Sequence, residues 1–275
     1  MKIKKCRICA NSKFKEIISL GNQCLTSVYP KPESKDPSKS GLELIFCDSK
    51  EKPQSKCNLV QLYHNADIKE MYGTTYGYFS SISPTMVSHL EDIIKFTEKH
   101  VNLNAGDAVL DIGCNDGTLL NKYGFEKKLK RYGVDPSSEK FLHMFQNDIK
   151  VLTDFFSYNK VNEFSEGKKF KVISSIAMFY DIDDPVEFAK SIELLLHDEG
   201  FWIIEIAYLP LMMKNLAYDQ IMHEHLTYLS LRQMEIIFEK SKLKVVDFSI
   251  NSVNGGSILL AACKKDFKCD INVEK

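Results

Sequence analysis

Several stretches of the chain carry residue types that can do chemistry. Cys6 and Cys9 have the two-residue gap of a metal knuckle, and Cys47 and Cys57 complete a set of four thiolates. Structural Zn²⁺ takes such a set in a closed tetrahedron with no open position, so this site is expected to hold structure rather than do catalysis. Cys24 competes as a ligand, but its neighbours give it no partner knuckle. Further on lies VLDIGCNDGTLL, Val109 to Leu120. A glycine turn lets backbone approach a ligand closely, and amides at a helix N-terminus face its polar parts. The spacing departs from the dinucleotide fingerprint, which suits a ligand without a pyrophosphate, such as S-adenosylmethionine. Asp111 is placed to take that ligand's amino group, with Gly113, Asn115, Asp116 and Gly117 as the cradle. Asp135 follows about 20 residues later, where ribose hydroxyls are expected. Asp154 and Phe155 suit an adenine amino group and ring, although Phe155 and Phe156 read equally well as core. Ala177, just past a later strand, is counted with the cofactor residues. Finally, His223-Glu224-His225 sets two imidazoles around a carboxylate.

These residues need elements to position them. From Ala108 onward, apolar runs alternate with helical patterns. The runs are Ala108 to Ile112, Arg131 to Val134, Lys150 to Leu152, Lys171 to Ser175, Phe201 to Ile206, Leu243 to Ile250 and Ser257 to Cys263. Helical patterns include Thr118 to Tyr123, Pro185 to Leu196 and Ser230 to Lys240. Such alternation predicts an α/β fold whose sheet binds ligands at the carboxyl ends of its strands. The short turn Asn251 to Gly256 makes the last two strands an antiparallel hairpin, which completes the seven-stranded sheet of a class I methyltransferase, Rossmann-like fold. Met86, Val87, Leu90, Ile93, Ile94 and Phe96 recur at helical spacing after the start signal Ser83-Pro84. The expected division is a zinc-binding unit at 1–64, a helical connector at 65–100 and an S-adenosylmethionine-binding unit at 101–275. The first unit is poor in apolar residues, and its Tyr29 to Gly41 stretch reads as loop. A metal staple would compensate.

The chain has 275 residues and a net charge of −1. That balance gives no general pull toward nucleic acid, and Lys-rich stretches such as Lys2 to Lys5 and Lys127 to Arg131 read as solvated surface. No apolar run reaches membrane-spanning length, and no secretory signal precedes Cys6. The expectation is a cytoplasmic protein with reduced thiols, no nucleic-acid or membrane partner, and a monomeric state.

Taken together, the Cys knuckle, Cys57-Asn-Leu-Val-Gln61-Leu, the run Tyr76-Gly-Tyr78-Phe79-Ser80-Ser81-Ile-Ser83-Pro84-Thr85-Met86, the loop DIGCNDGTLL and His223-Glu224-His225-Leu226 resemble one family. It is the zinc-containing sugar C-methyltransferases that act on nucleotide-linked 4-keto-deoxy sugars. The resemblance runs from Cys6 to about Cys263. It implies a zinc-bearing N-terminal domain, S-adenosylmethionine as methyl donor and a nucleotide sugar as acceptor. It also implies that His225 is a general base, with Glu224 orienting it or holding a substrate hydroxyl. Tyr76, Tyr78 and His223 are further candidates for substrate contact. A carbon next to a ketone is acidic enough for an imidazole to deprotonate when the enolate is stabilised.

The chain departs from the family pattern at three places. Met222 stands where the family commonly has Tyr. Ala177-Met178-Phe179-Tyr180-Asp181 replaces a stretch that usually carries a His. The family's further C-terminal α/β domain is expected to be lacking. The leading expectation is C-methylation of an activated sugar for surface-polysaccharide or natural-product assembly. Its rivals are O-methylation of a sugar hydroxyl or small phosphorylated metabolite, methylation of nucleic acid or protein, and a non-catalytic zinc-stabilised scaffold.

Overall fold

The structure is a computed structural model that describes residues 1–33, 36–48, 57–72, 76–124 and 128–269. Residues 34–35 of the expected loop and Lys127 of the Lys-rich stretch lie outside that set.

The N-terminal part builds a small antiparallel sheet. Strand β1 (Phe14–Cys24) pairs with β2 (Lys39–Cys47), and β2 pairs with β3 (Val60–Leu62). The expected loop therefore ends earlier than Gly41. Lys39, Ser40 and Gly41 pair with Cys24, Gln23 and Asn22, because the partner strand supplies a ladder that turn-type residues alone do not announce. β1 is almost entirely exposed, whereas Leu42, Leu44, Ile45 and Cys47 of β2 are buried. So β2 is the strand that anchors this sheet to the rest.

A short helix α1 (Ile68–Met71) leads toward α2 (Pro84–Glu98). Ser83 caps α2 by accepting from the Met86 amide, and Pro84 fills the first turn, where a missing N–H costs nothing. Leu90, Ile93, Ile94 and Phe96 pack with Val109, Leu119, Val172 and Ile203 in one core. α2 is therefore a covering layer of the large sheet as well as a link between the two halves.

The large sheet contains β4 (Ala108–Ile112), β5 (Lys130–Val134), β6 (Ile149–Leu152), β7 (Phe170–Ile176), β8 (Leu196–Ala207), β10 (Leu243–Asn251) and β11 (Ser257–Lys264). Between β8 and β10 comes the two-residue β9 (Thr227–Tyr228). The order is β10-β11-β8-β7-β4-β5-β6. The first five strands in sequence are parallel, and β11 runs antiparallel to both its neighbours. This is the class I methyltransferase fold expected from the alternation. β4 is buried along its whole length, as strands covered on both faces must be. One face is covered by α2 and α3 (Thr118–Lys122). The other is covered by α5 (Pro185–Leu195) and α7 (Leu231–Lys240), with α4 (Tyr158–Phe164) beside them. Helix α6 (Leu209–Asn215) lies outside this packing. Among the described residues no helix is long and apolar enough to cross a membrane.

β9 does not join the large sheet. It pairs with β3, so Val60 faces Tyr228 and Gln61 faces Thr227. The N-terminal sheet thus has the order β1-β2-β3-β9 and takes its last strand from the second half of the chain.

Candidate active site and cysteine centre

The loop after β4 is built by conformational necessity. Gly113 and Gly117 both have φ of 78°, the left-handed region that favours glycine. A Cβ on Gly117 would lie 2.6 Å from the Phe145 ring, and one on Gly113 would lie 3.0 Å from Met178 Cγ. Asn115 and Asp116 then tie this loop to the run before α2. Asn115 Oδ1 accepts from the Ser80 amide (3.0 Å), and Asp116 Oδ2 accepts from the Ser81 amide (2.8 Å). Asp116 Oδ1 also takes the Thr118 amide and hydroxyl. Asp135 accepts from the amides of Asn115 (2.9 Å) and Ser137 (2.6 Å).

A cavity of about 910 Å³ opens at the carboxyl ends of β4, β5 and β7. That is within the size range of small-molecule sites. Asp111, Gly113, Asn115, Asp135, Phe155 and Ala177 line it. Asp116, Gly117 and Asp154 do not. Asp116 works in the loop's internal hydrogen bonds, and Asp154 pairs with Lys160 at the surface. Phe156 lines the cavity yet also stacks on Phe188, 4.6 Å between centroids, so it serves the core as well. Ser174 donates to Asp111 at 2.6 Å, while burial pushes the Asp111 carboxyl up to about 7. A bound cation would favour its ionised form.

The opposite wall comes from the segment between α6 and β9. His223, Glu224 and His225 are all buried and all line the cavity. The N-terminal sheet fixes them. The His223 amide donates to Thr26 Oγ1 (3.1 Å), His223 Nε2 meets the Ser40 carbonyl (3.2 Å), and the Leu62 amide donates to the Leu226 carbonyl (3.0 Å). Burial raises the Glu224 carboxyl, tempered by the Ser27 and Thr26 hydroxyls. His225 stands edge-on to Tyr180, 4.3 Å between centroids. Burial pushes its imidazole down to about 4, against a bond to the Gln220 carbonyl that favours the cation. The ring is therefore neutral near pH 7. Tyr76 and Tyr78 also line the cavity, with Tyr78 43% exposed at its edge.

Two lining residues escape the sequence reading. Tyr72 donates to Asp181 Oδ2 at 2.9 Å, and Asp181 Oδ1 is shut from solvent with no partner. The only available signal is an Asp directly behind the aromatic pair Phe179-Tyr180, and that pattern reads as core.

The four expected thiols do converge. The Sγ atoms of Cys6, Cys9, Cys47 and Cys57 lie within 4.8 Å of one another. Adjacent pairs stand at 3.4–3.5 Å, close to the about 3.8 Å edge of a tetrahedron with 2.3 Å Zn–S bonds. Cys6, Cys47 and Cys57 are buried, and mutual hydrogen bonding holds the Cys6 thiol down while it pushes the Cys57 thiol up. The donor set fits zinc. Cys24 is exposed at the end of β1 and stands apart. Arg7, inside the knuckle, is buried and donates to the Leu62 carbonyl (2.7 Å), to Gln61 and to Asp183 (3.1 Å).

A glycine-turned loop beside a cavity on a class I sheet defines a methyltransferase. Residues 86–247 match the family described as a methyltransferase domain, and the chain belongs to that family. Residues 6–72 match a family described as a zinc-binding domain. The C-methyltransferase NovU of Streptomyces niveus is 25% identical over 265 residues, covering 94% of this chain and 60% of that protein. The chain thus spans about three fifths of that relative's length. A tRNA U34 carboxymethyltransferase of Campylobacter lari is 28% identical over 114 residues, 38% of this chain and 36% of that protein. Among solved structures, the plantazolicin methyltransferase BpumL, in complex with a triazolic desmethylPZN analog and SAH, superposes with a TM-score of 0.51. It is 15% identical over 66% of this chain and 86% of that one, and shows the shared fold. The chain thus carries a methyltransferase domain of the class I fold.

Proposed function

We propose that the chain methylates carbon next to a ketone on a nucleotide-linked sugar, in the cytoplasmic assembly of a surface polysaccharide or natural product. The observation that carries this reading is the shared cavity, with the Asp111 to Asn115 loop on one wall and a buried, neutral His225 on the other. Asp111, Gly113, Asn115, Asp135, Phe155 and Ala177 would hold S-adenosylmethionine, with Asp116 and Gly117 shaping the loop and Asp154 at its rim. When bound, that group supplies a methyl already activated as a sulfonium. His225 takes the proton from the acceptor carbon, and its ring is kept in place by Tyr180 and Gln220. Glu224, braced by Thr26 and Ser27, holds a sugar hydroxyl. His223, Tyr76 and Tyr78 shape the acceptor side. The four cysteines hold a structural Zn²⁺. In this reading 1–64 is the zinc unit, 65–100 the connector and 101–275 the cofactor unit.

The lining also sorts the two ends of the acceptor. It contains carboxyl groups on both walls and, among the described residues, no Lys or Arg. A sugar ring suits this interior, while a diphosphate would be repelled and belongs at the mouth or beyond it. Resemblance to NovU, named a C-methyltransferase, supports carbon as the acceptor.

O-methylation of a sugar hydroxyl, with the same His225, is the second reading. Met222 favours it, because it lines the cavity where a phenol would stabilise an enolate. The test is a screen of nucleotide sugars and small phosphorylated metabolites with labelled cofactor, followed by NMR of the product. A new carbon–carbon bond supports the first reading, and a methyl ether the second. Near-normal turnover by His225→Ala removes His225 as the base in both.

A further inference from the structure

Asp181 is a half-buried residue whose carboxyl has one oxygen engaged and one idle. Tyr72 donates to Oδ2 at 2.9 Å, and Oδ1 is closed to solvent and unpartnered. A buried polar atom left unpaired is destabilising, so such an atom asks for a reason. Its position offers one. The turn holding Asp181 starts at Met178, which abuts Gly113 of the cofactor loop, and the Asp181 amide donates to the Met178 carbonyl (3.0 Å). The preceding residue, Tyr180, presents its ring to His225. Asp181 lines the same cavity as the base and the cofactor loop.

We propose that Asp181, oriented by Tyr72, is a catalytic acid whose carboxyl O–H hydrogen-bonds the acceptor's carbonyl oxygen and stabilises the enolate. This rests on the C-methylation reading above. Burial first, and then the neighbouring Glu224 carboxyl, hold Asp181 well above the usual carboxylate range, so the acid is protonated when the acceptor arrives. Tyr72 cannot serve in its place, since its hydroxyl proton is already committed to Oδ2.

The step balances without another reagent. His225 removes the proton from the carbon next to the carbonyl, and the C–H electron pair becomes the enolate double bond. The carbonyl π pair moves onto oxygen, where the Asp181 hydroxyl donates a hydrogen bond without giving up its proton. The enolate carbon then bonds to the methyl, the sulfur–methyl bond breaks, and its electrons remain on sulfur. The proton on His225 passes to solvent. A carboxylic acid replaces the phenol that Met222 does not supply.

The experiment compares the full-length wild type with Asp181→Ala, Asp181→Asn and Tyr72→Phe. The probe is a nucleoside-diphosphate-linked 4-keto-deoxy hexose. Two rates are read, exchange of solvent deuterium into the carbon next to the ketone and transfer of labelled methyl. Asp181→Ala should lower both by about 10²–10³-fold. Asp181→Asn, which keeps a donor, should recover part of the loss, and Tyr72→Phe should fall between them. The wild type should lose activity as pH rises and the acid ionises, and Asp181→Asn should lack that alkaline limb. Binding of S-adenosylhomocysteine by calorimetry should stay within about threefold, which separates a lost catalytic group from a damaged fold. Infrared difference spectra of wild type minus Asp181→Asn at neutral pH supply a substrate-free measure, a protonated-carboxyl band over and above the contribution of Asp111, which itself titrates near neutrality. Near wild-type exchange by Asp181→Ala, or absence of that band, overturns the assignment. If the wild type itself exchanges no deuterium while transferring methyl to oxygen, the C-methylation reading fails instead.

Discussion

Arg7 Nε donates to Asp183 Oδ1 at 3.1 Å, joining the cysteine knuckle to the turn that carries Asp181. The two partners are unequal. The Arg7 side chain is 2% exposed and that of Asp183 is 63% exposed. Arg7→Leu would strip the Leu62 carbonyl and Gln61 of a charged donor and should cost about 3 kcal/mol. Asp183→Ala removes only a solvent-screened partner and should cost less than about 1 kcal/mol. Thermal unfolding of the two variants side by side checks this, and similar losses would contradict it.

Gly117→Ala should be poorly tolerated. Its φ of 78° strains any L side chain, and the new Cβ would meet Phe145 at 2.6 Å. The expected loss is about 2–4 kcal/mol of stability, with weaker S-adenosylhomocysteine binding as the loop shifts. Gly106 also has a positive φ but has open space where a Cβ would stand, so Gly106→Ala should cost only about 1 kcal/mol. Chemical denaturation distinguishes clash from backbone strain.

His225 should give acid sensitivity with a definite sign. Its folded value is about 4 against an ordinary 6.5. Between those limits the unfolded chain takes up a proton that the folded chain refuses. Stability therefore falls as pH drops from 6.5 toward 4, by up to roughly 3 kcal/mol. His225→Gln should flatten that slope when melting is followed from pH 7 down to pH 5. For the same reason, the acid limb of kcat/KM should lie below 6.5 if His225 is the base.

Removing zinc should harm the acceptor side before the cofactor side. The His223 to Leu226 segment hangs from the N-terminal sheet through Thr26, Ser40 and Leu62, whereas the Asp111 to Gly117 loop belongs to the large sheet. A strong chelator, or Cys47→Ser, should abolish turnover while S-adenosylhomocysteine affinity changes by less than about tenfold. Equal loss of both functions would show that the centre supports the whole fold. Elemental analysis of fresh protein should give one zinc per chain.

The large sheet was legible because its strands are rich in apolar residues, as in Phe201 to Ile206 and Ser257 to Cys263, and because its longer helices announce themselves by period and cap. Ser83 and Asp184 both cap the helices their positions suggest. The cysteine set was legible from the knuckle spacing, since metal chemistry restricts the ligand types. β9 was not. Two residues, Thr227 and Tyr228, carry no periodicity, and their strand character comes wholly from β3. The Tyr72–Asp181 pair was hidden for a related reason. The partners stand 109 positions apart, and only folding makes one oxygen of Asp181 idle.

The borrowed strand also sets a timetable. Gln233 donates to the backbone carbonyl of Cys57 across 176 positions, close to where Tyr228 meets Val60. At synthesis rates of 5–20 residues per second, that separation is on the order of ten seconds or more. During this interval the cysteine unit is outside the ribosome with an open sheet edge, and the wall that carries His225 has yet to be made. The acceptor side of the cavity is thus among the last parts of the molecule to close, and an interrupted chain ends with its cysteines exposed and no site to show for them.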